Sequence, residues 1–216
     1  MRGDSIVIEA HHRKAANGIM PLLMPVLEAS PARHTVSIAG QSGSGKSETA
    51  AALSEELAAH DIASAILQQD DYFVYPPKTN DQTRRADIDW VGPQEVKLDL
   101  MDEHLRAFLD GAREIEKPLV DYESDSIITE RMEFGDARVL IAEGTYTTLL
   151  EHCQTHVFID RTYLQTRTHR EKRMRDAAEL DPFIDRVLEI EHSIISAHKP
   201  RAQIIVDTDY NAAAAA

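Results

Sequence analysis

Cysteine is almost absent from this 216-residue chain: Cys153 is the only one, which fits a soluble, reducing, cytoplasmic setting. Nothing beside Cys153 is built to lower its pKa, so it reads as a small buried hydrophobe rather than a nucleophile. Long apolar runs are missing as well. The longest, Ile19 to Leu27, is interrupted by Pro21 and Pro25 and falls short of the ~20 residues that a membrane span needs. No transmembrane helix is expected. The N-terminus carries Asp4, Glu9, His11 and His12 where a secretory signal would place its apolar region. Basic residues are in deficit, 23 Lys and Arg against 37 Asp and Glu, for a formal charge of −14. Such a field repels polyanions, which excludes nucleic acid and anionic membranes as expected partners. The ten histidines form no metal box, since His11 and His12 are adjacent rather than one helical turn apart. A homo-oligomer stays open.

With 43% hydrophobic residues, the chain can bury one sizeable core but not two full domains. Apolar, β-rich runs recur at Thr35–Ala39, Ala63–Leu67, Arg138–Ala142, His156–Asp160 and Gln203–Val206, with helical spacing between most of them. Val139-Leu140-Ile141-Ala142 is continuous rather than alternating, as in strands covered on both faces. The expectation is an α/β core, a central parallel sheet with helices on both sides. Residues 34–211 form the main domain, preceded by a helical extension over 1–33 that Gly18, Pro21 and Pro25 should shorten or bend. A long insertion at 72–137, with a helix near Gln94–Leu109 and a hairpin around Ser124–Ser126, is the expected seat of specificity. The closing run Ala212–Ala216 resembles a tag remnant or placeholder and enters no functional argument. No internal repeat is present.

The strongest motif is Gly40-Gln41-Ser42-Gly43-Ser44-Gly45-Lys46-Ser47, which satisfies G-x-x-x-x-G-K-S/T between an expected strand and an expected helix. Gly40, Gly43 and Gly45 let successive N–H groups turn inward around phosphate oxygens at a helix N-terminus, with Ser42 and Ser44 in the same loop. Lys46 supplies positive charge for the β- and γ-phosphates, and the Ser47 hydroxyl is placed for Mg²⁺. Glu48 opens a run of good helix formers behind the loop. The pattern implies a P-loop NTPase three-layer fold using ATP and Mg²⁺.

Carboxylates for the metal and for activating a hydroxyl should lie at the C-terminal ends of strands. Gln69-Asp70-Asp71-Tyr72 follows the second strand of the main sheet and Glu143-Gly144 the third. Asp70 is the expected general base and a metal-shell ligand, and Glu143 the expected metal contact. Asp71 reads equally as a solvated turn residue, and the choice of base between the two aspartates stays open. Arg167, Arg170 and Arg173 share a helix face within a lid region, 161–182, where they would neutralise a transferring phosphoryl group.

Together these residues resemble the uridine kinase and phosphoribulokinase family over about His34 to Asp207. The family's QDSFY-like segment resembles Gln69-Asp70-Asp71-Tyr72-Phe73, which implies a catalytic role for Asp70 and places Tyr72 at the substrate. Its FDHP-like segment resembles Ile88-Asp89-Trp90 followed by Pro93, which implies that Asp89 holds vicinal hydroxyls of the substrate. Its LEG segment resembles Ala142-Glu143-Gly144, and its lid arginines fall on Arg170 and Arg173, with Arg167 beside the substrate. Asp121 and Tyr122 fall in the segment that surrounds a base, but Val120, Asp125 and Ile127 stand where tyrosine, histidine and arginine are expected. A pyrimidine would meet a carboxylate and an aliphatic chain there instead of donors. The resemblance therefore implies a small-molecule kinase acting on a hydroxyl of a nucleoside or related sugar-containing metabolite. The alternatives are a non-nucleoside acceptor and a nucleotide-hydrolysing regulatory ATPase.

Overall fold

The computed structural model describes residues 6–165 and 181–215. Its centre is a six-stranded sheet in the order β2-β5-β1-β6-β7-β8. The strands are β1 (His34–Gly40), β2 (Ser64–Gln68), β5 (Val139–Gly144), β6 (Thr155–Ile159), β7 (Ile204–Val206) and β8 (Ala212–Ala214). All neighbours pair in parallel except β8, which runs antiparallel to β7. Every residue of β1 and β5 is buried; β5 accordingly opens on the apolar run Val139-Leu140-Ile141-Ala142, while the polar residues of β1 are hydrogen-bonded, Thr35 to the His152 carbonyl at 2.7 Å and Ser37 to His156 Nδ1 at 2.7 Å. Helices α1 (Ala10–Ala29) and α2 (Lys46–Ala59) cover one face, packing Ile19, Leu23, Leu53 and Leu57 against Val36, Ile38 and Ile141. On the other face α4 (Leu98–Leu109) and α5 (Pro182–Ser196) bring Met101, Leu105, Phe108 and Ile195 onto Leu140, Ala142 and Phe158. The expected α/β sheet with helices on both sides is the observed one.

Three expectations are modified. Helix α1 runs unbroken for 20 residues through Pro21 and Pro25. Both prolines and Asn17 are exposed, so the carbonyls left without an N–H partner at Asn17 and Pro21 lie on the solvent side, where water can take them. Helix α4 begins at Leu98 rather than near Gln94, because a 3-10 turn at Pro93–Glu95 comes first and Glu95 turns its carboxylate back onto the Gly92 N–H at 3.2 Å. The terminal alanines, set outside the functional argument, have a place in the fold: β8 closes the sheet edge, and its Ala212 sits against Gly18 of α1.

The insertion contains α3 (Pro77–Ala86), α4 and the hairpin β3 (Glu114–Asp121) with β4 (Ser126–Glu133). No helix among the described residues is long and apolar enough to cross a membrane. Cys153 is buried, and burial pushes its thiol up to about 12, so it stays protonated within the core.

Candidate active site

Strand β1 ends at Gly40, the chain turns through Gln41–Gly45, and α2 starts at Lys46. Gly45 is the residue that precedes the helix, with φ of +88°, a left-handed value that a side chain would strain. A Cβ there would also lie 2.8 Å from Nε2 of His12 on α1, so α1 backs directly onto the loop. Lys46, the first helical residue, folds its Nζ back to the Gln41 carbonyl at 3.0 Å. Gln41 in turn donates through Nε2 to the Leu188 carbonyl of α5 at 2.7 Å, and its Oε1 lies 2.9 Å from His192 Nδ1. The loop is thus held by α1 behind and α5 beside. Ser42, Gly43, Ser44 and Glu48 all lie in this turn and first helical step, with Ser44 and Glu48 buried.

Ser47 Oγ donates to Oε1 of Glu143 at 2.9 Å. Glu143 is 4% exposed, and burial, reinforced by the charge of Asp70, raises its carboxyl to about 7; Lys46 and the Ser47 bond oppose that rise. A buried carboxylate beside a second carboxylate lacks a full counter-charge. The oxygen donors Ser47, Glu143 and Asp70 fit a hard divalent cation such as Mg²⁺, which takes one or two carboxylates and completes its shell with phosphate and water. Among the described residues no group of three or more His, Cys, Asp or Glu forms a self-sufficient metal cage.

The two adjacent aspartates after β2 separate sharply. The 3-10 turn Gln69–Tyr72 leaves Asp70 exposed and Asp71 2% exposed. Asp71 accepts from Lys117 Nζ at 2.8 Å and from the Val120 N–H at 3.1 Å, so it fastens β3 to the turn and is not a solvated turn residue. Gln69 accepts the Tyr146 N–H at 2.7 Å, and a Cβ on Gly144 would stand 2.2 Å from the Gln69 Cβ. The glycine after Glu143 is therefore required for the β2 and β5 ends to meet.

Other expected site residues are placed differently. Tyr72 lies in the core, fully buried, with its hydroxyl 2.7 Å from His104 Nδ1, and burial raises its pKa. The Asp121 carboxylate closes the hairpin turn, accepting the N–H groups of Glu123 and Ser124 at 3.1 and 3.2 Å. Tyr122 lies under Lys78, whose Nζ is 5.9 Å from the ring centre. Asp89 is exposed on the turn Ile88–Trp90. Arg167, Arg170 and Arg173 lie outside the described residues. Asp125 accepts the Lys78 N–H at 2.7 Å and the Thr79 hydroxyl at 2.9 Å, holding the N-terminus of α3.

Sequence patterns gave no sign of an Arg84-centred group beneath α3. Arg84 donates to both Glu95 oxygens, Nη2 to Oε2 at 2.8 Å, and reaches Glu191 of α5 at 3.4 Å. Asn80 donates to Glu95 at 3.1 Å and accepts from the Trp90 indole at 2.9 Å.

The model of the phosphoribulokinase / uridine kinase family matches residues 35–193. A bifunctional alpha-galactosidase/sucrose kinase, AgaSK, from Mediterraneibacter gnavus is 31% identical over 189 residues, covering 82% of this chain and 20% of that protein. A uridine kinase from Ureaplasma urealyticum serovar 10 is 31% identical over 111 residues, covering 51% of this chain and 52% of its own. The chain thus spans a fifth and about half of the lengths of these relatives. Among solved structures, a possible uridine kinase from Bacillus stearothermophilus superposes with a TM-score of 0.60 at 17% identity, over 89% of this chain and 97% of that one. That likeness concerns the fold.

Proposed function

The chain belongs to the phosphoribulokinase / uridine kinase family, and on that premise we propose that it is a phosphotransferase that moves the γ-phosphoryl group of ATP to a hydroxyl of a small, sugar-containing acceptor, in a cytoplasmic setting. The observation that carries this reading is the convergence of three elements. Ser47 at the head of α2 touches Glu143 at the end of β5, and the charge of Asp70, at the end of β2, acts on that same carboxylate.

In this reading the loop amides of 40–47 hold the triphosphate, and Lys46 exchanges the Gln41 carbonyl for phosphate oxygens. Ser47, Glu143 and Asp70 would hold Mg²⁺, which would supply positive charge to offset that of the transferring phosphoryl group. Asp70, exposed beside this centre, takes the proton of the acceptor hydroxyl. The lid arginines Arg167, Arg170 and Arg173 bring further positive charge. Asp89 orients acceptor hydroxyls. Positioning and electrostatics are the main contributions of the protein, as a loose phosphoryl-transfer transition state requires.

Within the acceptor class, Asp125 favours a non-nucleoside, sugar-type compound over uridine. Its carboxylate is engaged at the start of α3, at a position where a pyrimidine reader would present a donor. The relative described as a sucrose kinase, aligned over 82% of this chain, supports the same direction. ATP consumption and phosphorylated products should be measured with panels of nucleosides and of sugars. Stimulation by one acceptor, with its phosphate ester detected by mass spectrometry, is the expected result; an acceptor-independent rate would favour a regulatory ATPase. Asp70→Asn should lower turnover by about 10²–10⁴-fold with nucleotide binding retained, and near-normal turnover would remove Asp70 from its role.

A further inference from the structure

Helix α1 lies outside the span that the family model matches, 35–193, and so does Tyr210, yet both press on the phosphate loop. The turn between β7 and β8, residues 207–211, is firmly fastened. The Asp207 carboxylate accepts the Asp209 N–H at 2.9 Å and the Asn211 N–H at 2.8 Å, and Lys14 of α1 donates to the Asp209 carbonyl at 2.8 Å. This turn holds Tyr210 at φ of +60°, a left-handed value that strains a bulky residue and persists only where the surroundings impose it. The side chain so placed is buried, with the His11 ring 4.4 Å and the His12 ring 5.8 Å from its own.

The Tyr210 hydroxyl stands at the loop itself. It donates to the Ser44 carbonyl at 3.4 Å, and a Cβ on Gly45 would lie 3.4 Å from it. From the other side the Arg161 guanidinium, two residues past β6, donates to the same hydroxyl oxygen and covers the ring, 4.7 Å from its centre. Arginine can only donate. Its bond therefore takes a lone pair of the tyrosine oxygen and leaves the phenolic proton for the Ser44 carbonyl. A trans peptide points its carbonyl and its N–H in opposite directions, so a Ser44 carbonyl held towards Tyr210 turns the Gly45 N–H away from it.

We propose that Tyr210 is a positioning residue for the nucleotide: by holding the Ser44 carbonyl outward it aims the Gly45 N–H at the bound phosphates, and α1 braces it from behind through His11, His12 and Lys14. An N–H turned inward presents the positive end of the peptide dipole to phosphate oxygens, whereas a carbonyl turned inward repels them. Gly45 has no side chain to resist rotation of that peptide unit, so the restraint has to come from outside the loop. At 3.4 Å the tyrosine bond is long for a hydroxyl donor. A phosphate that accepts from the Gly45 N–H polarises the same peptide unit and strengthens its carbonyl as an acceptor. This inference rests on the phosphate-loop part of the proposed function and adds to it a residue and a helix that the loop motif does not contain.

The test is isothermal titration calorimetry with magnesium ATP and with magnesium tripolyphosphate, which carries the phosphates without a base; neither titration needs an acceptor. Tyr210→Phe keeps the ring and removes the hydroxyl. It should raise the Kd of both ligands about five- to tenfold, with one site per chain still titrating and the circular dichroism spectrum unchanged. Stoichiometry separates this from a structural role, because misfolded protein lowers the number of sites and leaves the Kd of the remainder alone. Should Tyr210→Phe not fold, Lys14→Met loosens the same turn from the protein surface and should raise both Kd values about twofold. Unchanged Kd values for both ligands, in whichever of these variants folds and titrates fully, overturn the proposal and leave the phosphate-loop reading standing. So does a loss confined to ATP, which would put the hydroxyl at the base instead. A parent protein that binds neither ligand overturns both.

Discussion

Asp70 and Asp71 are neighbours in sequence with opposite physical situations, and substituting each in turn separates structure from chemistry. Asp71 and Lys117 are 3% and 7% exposed at the side chain and 2.8 Å apart. Removing one member of such a buried pair leaves the other charge uncompensated and costs about 3–5 kcal/mol. Lys117→Met should approach that figure, because the buried Asp71 carboxylate then loses its cation while the Val120 N–H stays in place. Asp71→Asn should cost less, about 1–3 kcal/mol, because Lys117 keeps Glu130 at 3.2 Å and the Pro118 carbonyl at 3.1 Å. The double variant should be less destabilised than the sum of the two singles by at least about 1 kcal/mol, the signature of direct coupling. Asp70→Asn, at an exposed position, should change stability by no more than about 0.5 kcal/mol and act on turnover instead. Urea unfolding followed both by circular dichroism and by fluorescence of the sole tryptophan, Trp90 in the insertion, measures all four proteins. Equal stability losses for Asp70→Asn and Asp71→Asn, or additivity in the cycle, would refute the assignment of Asp71 as the tie between β3 and the Gln69–Tyr72 turn.

Glu143 makes metal-free stability depend on pH with an unusual sign. Its carboxyl is raised from 4.5 to about 7 in the folded protein, so its contribution is fully present below the lower value and is lost as pH rises through the upper one, about 3 kcal/mol in all; Glu143→Gln should flatten this trend in pH-dependent urea unfolding, and parallel curves for the two proteins would refute it. Gly144→Ala, whose methyl would stand 2.2 Å from the Gln69 Cβ, should cost about 1–3 kcal/mol and lower turnover by moving the turn that carries Asp70; thermal melts and kinetics check both. Asp125→Ala should cost about 1–2 kcal/mol through loss of the α3 N-terminal bonds and raise the acceptor KM without changing that of ATP, measured by unfolding and steady-state rates.

The nucleotide half of the site was legible because backbone periodicity writes it. Continuous apolar runs marked the strands within one or two residues, and the glycine spacing of 40–47 together with the expected helix at Lys46 fixed the loop. Acids at the C-terminal ends of parallel strands are expected to lie near that loop, and Glu143 at the end of β5 accepts a hydrogen bond from Ser47. Tyr72 was misplaced for a local reason. A 3-10 turn brings residues three apart into line, so Gln69 and Tyr72 both turn inward while Asp70 turns out, and a motif read as a string does not carry that rotation. Pro21 and Pro25 do not shorten α1, because both sit on its exposed side, where water can take the carbonyls they leave without an N–H partner.

The acceptor half is built by a different kind of contact, and the difference has a functional consequence. Lys117 meets Asp71 across 46 residues, Asp125 meets Lys78 across 47, and Arg84 meets Glu191 across 107. Such pairs have no period, so nothing in either segment announces the other. They also bear on the insertion and α5 rather than on the sheet, whose strands hold one another through backbone ladders. Substitution in the acceptor half can therefore re-aim α3 and the hairpin while the phosphate loop keeps its geometry. On the proposed reading, a fold arranged in this way holds phosphoryl transfer constant and lets the acceptor vary, and Val120, Asp125 and Ile127, which differ from the residues that the resemblance leads one to expect, all lie in the β3–β4 hairpin.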